Sequence, residues 1–171
     1  DDISEMASEA SDNNLLLSNH SYGLVAGWEW SSTNDTDCWW GDASISTAED
    51  HKFGKYTYSS YQLDNITYAN GNYTIAKAAG NDRGDDKYNT TAHAHSDDCS
   101  NAIYTDSHGA DGGNLGYDSI TGDGGAKNII TVGAVNEMSN GWTGQSDVTM
   151  STFSGWGPMD DGRIKPDIVA K

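Results

Sequence analysis

Basic residues are scarce: nine Lys plus Arg stand against 26 Asp plus Glu, a net charge of −17. A surface of that sign repels nucleic-acid backbones, which excludes direct DNA or RNA binding. No run of about 18 apolar residues occurs, so no membrane-spanning helix is expected. The chain opens Asp1-Asp2-Ile3, without the basic start of a signal peptide, and reads as a mature or excised segment. Glutamate is confined to Glu5, Glu9, Glu29, Glu49 and Glu137, so nearly all the acid is aspartate. Short carboxylates among Gly and Asn suit turns and calcium binding better than helix surfaces. They equally serve solubility alone. Proline and cysteine number two each. Cys38 and Cys99 sit in polar, loop-like surroundings, T-D-C-W-W and D-D-C-S-N, and their spacing fits no zinc signature. One disulfide is the expectation, because exposed free thiols are a liability outside the cell.

What is present is enough for one domain with a sizeable core: 171 residues, of which 35 % are hydrophobic and 20 are glycine. Ile3, Met6, Ala7 and Ala10 repeat at helical spacing and predict a helix over residues 3–13. Leu15-Leu16-Leu17 leads into Ser18–Gly23 and reads as a buried strand. Residues 24–43 form an aromatic loop with Trp28, Trp30, Trp39 and Trp40. Residues 44–69 read as helix, with a capping box at Ser46 and Glu49 and a break at Gly54. Residues 73–80 are a second strand, which makes a βαβ unit with parallel strands. Residues 82–124 are a long polar stretch, and a structureless loop of that length either argues against a simple compact domain or marks a functional loop. Lys127–Val135 is the clearest strand, rich in β-branched residues. A short strand is expected to end at Val148-Thr149-Met150. A last one begins at Asp167.

Four segments carry a resemblance. They are Ser18-Asn19-His20-Ser21-Tyr22-Gly23, then Ala78-Ala79-Gly80-Asn81, then Lys127–Val135 (K-N-I-I-T-V-G-A-V), and last Phe153–Pro158 (F-S-G-W-G-P) with Asp161–Ala170 (D-G-R-I-K-P-D-I-V-A). In this order and spacing they resemble the subtilisin-like serine proteases, over nearly the whole chain. The resemblance implies an α/β fold, a three-layer parallel sheet flanked by helices. It makes residues 1–171 the central part of one peptidase domain. It implies peptide-bond hydrolysis by a Ser-His-Asp triad needing no cofactor, with structural calcium possible. The family's D-[ST]-G and H-G-T-H motifs do not occur here. They are expected upstream, and the G-T-S-x-A serine is expected beyond Lys171.

Asn81 matches the oxyanion asparagine, whose amide donor meets charge that develops on the carbonyl oxygen only in the transition state. Ser21, Tyr22 and Gly23, with Ala78, Ala79 and Gly80, are expected to flank the substrate pocket, where exposed backbone pairs with extended peptide. Asp82, Asp85, Asp86, Asp97, Asp98, Asp106, Asp111, Asp118 and Asp123 crowd the long loop and are the calcium candidates, against a solvated loop. His20 is a structural or cleft-wall residue, while His93 and His95 read as a solvated loop against a metal or ligand contact. Sequons stand at Asn19, Asn34, Asn65, Asn72 and Asn89, close to their chance frequency.

Two function classes follow. One is a fragment of a secreted endopeptidase, acting on peptide or protein substrate when complemented by the remaining segments. The other is a non-catalytic, self-assembling module derived from a truncated subtilase. Both predict association, because a parallel sheet with open edges and a bare face invites pairing.

Overall fold

The computed structural model describes residues 2–32, 34–85, 92–95, 99 and 104–171. In chain order its elements are α1 (Asp2–Asp12), β1 (Leu17–His20), β2 (Trp28–Ser31), β3 (Thr36–Trp39), α2 (Tyr58–Ala69), β4 (Thr74–Ala78), β5 (Ala94–His95), β6 (Ile130–Ala134) and β7 (Ile168–Ala170). The main sheet is wholly parallel, in the order β1-β4-β6-β7. A parallel sheet flanked by helices is the expected α/β class.

Both helices serve one core. Met6 and Ala10 of α1 meet Leu63 and Ile66 of α2 over Tyr73, Ile75, Ala126 and Ile129. The period-2 alternation of strands puts Ile75, Lys77, Thr131 and Gly133 on the covered face. Leu17, Ile130 and Ile168 share the opposite face and are exposed. The leucine run before Ser18 is therefore not a buried strand. Leu16 and Leu17 are both 63 % exposed, because β1 is an edge strand and the described helices pack on the other face.

Helix α2 is shorter than the sequence predicts. It starts at Tyr58 behind Thr57, whose Oγ1 accepts the Ser60 amide at 3.3 Å while Ser60 Oγ accepts the Thr57 amide at 3.1 Å. Ser46 does accept the Ala48 and Glu49 amides, at 3.2 and 3.4 Å, but closes only a turn. Tertiary contacts claim the chain between. Asp50 accepts the Gly27 amide at 2.8 Å, and Phe53 bridges to Thr121. Likewise the strand expected to end at Met150 reduces to one bridge, Val135 to Met150.

The aromatic loop is a hairpin. β2 pairs antiparallel with β3, Trp28 opposite Trp39, and β5 adds in parallel to make a second three-stranded sheet. Trp28 and Trp39 are fully buried, which gives this insertion its own core. Cys38 and Cys99 are disulfide-bonded beside it, Cα atoms 5.7 Å apart across 61 residues of sequence. On loop-entropy grounds such a closure stabilises by about 4 kcal/mol.

Candidate functional site

Strands β1 and β4 are neighbours and parallel, so both chains leave the sheet at the same end. Ser21, Tyr22 and Gly23 follow β1; Ala79, Gly80 and Asn81 follow β4. Between them lies a cleft of about 360 Å³, lined by Ser21, Tyr22, Gly23, Ala78, Gly80 and Asn81 among others. Ala79 is the exception. It is buried with Ile120 and Met159 beneath the cleft. Its position follows from alternation: Ala78 lines the cleft, so Ala79 turns inward.

The FSGWG segment shapes the cleft from below. The Gly155 amide donates to the Gly80 carbonyl at 3.2 Å. A Cβ on Gly155 would lie 2.3 Å from the Ala79 carbonyl oxygen, so only glycine fits. Ser154 Oγ accepts the Ala134 amide at 2.9 Å. In the K-P-D segment Asp167 accepts the Thr131 amide at 2.7 Å and pairs with the buried Lys165 Nζ at 2.6 Å. These polar positions tie the loops to β6.

Lys77 lies under the cleft wall. Its ammonium donates to the Tyr22 carbonyl, stands 4.1 Å from the centre of the Tyr22 ring and pairs with Asp123 at 3.3 Å. His20 uses both ring nitrogens locally, with Tyr22 Oη at 2.8 Å and Ser18 Oγ at 2.7 Å. Burial, then Lys77, lowers its pKa. Asn81 is exposed at the mouth of the cleft. Beside it, burial and the neighbouring Asp85 push Asp82 up to about 6.

The other histidines divide. His51 Nδ1 lies 3.5 Å from Asp50. His93, His95 and His108 instead converge with Asp106 within 4.8 Å, the metal-competent group among the described residues. His95 Nε2 is 3.2 Å from His93 Nε2, 3.3 Å from His108 Nε2 and 3.3 Å from Asp106 Oδ1. Asp106 also lies 3.5 Å from His93 and 3.2 Å from His108. Trp39 stacks on His108 with ring centres 3.5 Å apart, and Tyr104 stacks on His95 at 3.9 Å. The solvated-loop reading of His93 and His95 is corrected: His93 is buried and His95 is largely covered. The missed signal is a doubled spacing, H-x-H and D-x-H, which puts ligands on one side of extended chain. Of the calcium candidates, only Asp106 joins this group. Asp86, Asp97 and Asp98, like the Asn89 sequon, lie outside the described residues. No described helix is long and apolar enough to cross a membrane.

No curated protein matches the chain. The family model described as Subtilase family matches residues 1–171, so the chain belongs to the subtilase family.

Proposed function

We propose that this chain supplies the substrate cleft and the oxyanion donor of a secreted subtilisin-like serine endopeptidase. The supporting observation is the convergence of Ser21–Gly23 and Ala78–Asn81 on one cleft at the shared end of β1 and β4. In acyl transfer a serine hydroxyl adds to the scissile carbonyl, and the electron pair moves onto oxygen. The C–N bond then breaks, the amine leaves with a proton, and water hydrolyses the acyl-enzyme. The Asn81 amide is the donor for that oxygen, and the backbone of Ser21–Gly23 holds the peptide as an added strand. The triad comes from segments outside residues 1–171, and these segments cover the apolar face of Leu17, Ile130 and Ile168. A disulfide at Cys38–Cys99 fits an oxidising compartment, hence secretion.

The test is Asn81→Ala in the full-length natural protein, assayed on a peptide substrate. In subtilisin itself, removing the oxyanion asparagine costs about 10²–10³ in kcat, and that magnitude is carried over. The expected result is a loss of this size in kcat with KM nearly unchanged. A variant with wild-type kcat overturns the oxyanion role. A full-length natural protein with no peptidase activity favours the structural module.

A further inference from the structure

We propose that His93, His95, Asp106 and His108 form a four-coordinate site for a divalent transition metal of the zinc type. The distances carry it. Metal–nitrogen and metal–oxygen bonds of about 2.0–2.1 Å, arranged tetrahedrally, place ligand atoms about 3.3–3.4 Å apart. With Asp106 Oδ1 as the carboxylate ligand, four edges of this group measure 3.2, 3.3, 3.3 and 3.5 Å, and the other carboxylate oxygen, Oδ2, lies 3.2 Å from His108 Nε2. Pairwise hydrogen bonding explains this convergence poorly. His95 Nε2 has three close neighbours and at most one proton to offer them.

The tautomer of His108 points the same way. Its Nδ1 lies 3.1 Å from the Thr47 carbonyl, which can only accept. Nδ1 therefore carries the proton, and Nε2 turns a lone pair into the group. A second hydrogen bond of this kind orients metal-bound histidines generally. Three imidazoles and one carboxylate oxygen suit zinc, cobalt, nickel or copper, whereas calcium demands six to eight oxygens. Four protein ligands leave no open position, which assigns the site to structure rather than chemistry. Ions reach it through Asp106, which is 44 % exposed, and His95.

The role follows from position. β5 pairs with β3, His95 opposite Trp39 and Ala94 opposite Cys38. Glu29, opposite Cys38 on the hairpin, lines the cleft. The metal ties His93 and His95 to Asp106 and His108, and this joined pair of segments is held against the hairpin by the β3–β5 pairing and the Trp39–His108 stack, so it braces one side of the cleft alongside the disulfide.

The experiment strips the full-length natural protein with EDTA, dialyses it, and titrates zinc chloride in a calorimeter. One equivalent is expected to bind, to raise the melting temperature and to be displaced by EDTA. Calcium chloride is expected not to compete. Cobalt in place of zinc should show the intense visible absorption of four-coordinate geometry. His95→Gln and Asp106→Asn change the two accessible ligands and spare the buried ones. Each is expected to weaken zinc binding at least 10–100-fold with the circular dichroism unchanged, whereas His51→Gln leaves it intact. The proposal is overturned if the wild-type protein takes up no zinc. It is equally overturned if the double variant His95→Gln/Asp106→Asn binds as tightly, or if cobalt shows only weak octahedral absorption.

Discussion

Asp111 is a carboxyl shut inside the protein, 1 % exposed, accepting the Trp28 amide at 2.8 Å. Gly27 lies against it. A Cβ there would fall 2.2 Å from either Asp111 oxygen, and the backbone is left-handed at φ +62°. Burial foremost pushes the carboxyl up to about 9; the Trp28 amide opposes this, and Asp82, Asp85 and Asp50 add to it. An acid whose folded pKa lies above its unfolded value favours folding while both states hold the proton. That advantage is lost as pH rises from about 4 towards 9. Asp111→Asn keeps an acceptor for Trp28 without the titration. The variant is expected to melt higher than wild type at pH 8, with the gain shrinking towards pH 4, as scanning calorimetry would record. A variant equally shifted at both pH values contradicts a protonated Asp111. Nothing in the sequence distinguished Asp111 from its eight companions in the polar stretch, because its state depends on what surrounds it. The place of Asn81 at the cleft was legible because A-A-G-N is a local pattern at the end of a strand.

At the scale of elements, α2 is joined to β6 through one side chain. Asp64, on α2, accepts the Lys127 and Asn128 amides at 2.8 and 2.7 Å and the Tyr56 hydroxyl at 2.7 Å. Asp64→Ala leaves three donors without this acceptor, with an expected loss of about 2–4 kcal/mol in urea unfolding at an unchanged m-value. The Tyr56 hydroxyl, pushed up to about 12 by burial and then by Asp64, is expected to titrate lower in the same variant. An unaltered urea midpoint contradicts the joint. The strands β4, β6 and β7 were legible from β-branched runs and small residues. The helix start at 44 was not, because S-T-A-E satisfies a cap locally while Asp50 and Phe53 hold that stretch across to Gly27 and Thr121. The hairpin was hidden for a related reason. Its strands are four residues long, and their burial comes from the tryptophans packing on residues far along the chain.

Over the whole molecule two forces oppose each other. The exposed apolar face of the sheet and its two edge strands favour association, and a net charge of −17 resists it. For residues 1–171 by themselves, sedimentation velocity is expected to show association that strengthens with salt, as screening removes the repulsion. A monodisperse monomer at every ionic strength contradicts this. The sequence by itself determined the family, the parallel α/β class and the two chains that bound the cleft, because these are written in contiguous motifs and in local periodicity. It determined the acidity of the surface as well, since charge is additive. Only the tertiary structure decided that Ala79 lies beneath the cleft and that the aromatic loop is a second sheet. It alone brought His93, His95, Asp106 and His108 together, because ligand geometry arises when segments distant in sequence pack on the same buried aromatics, and no local pattern encodes that meeting.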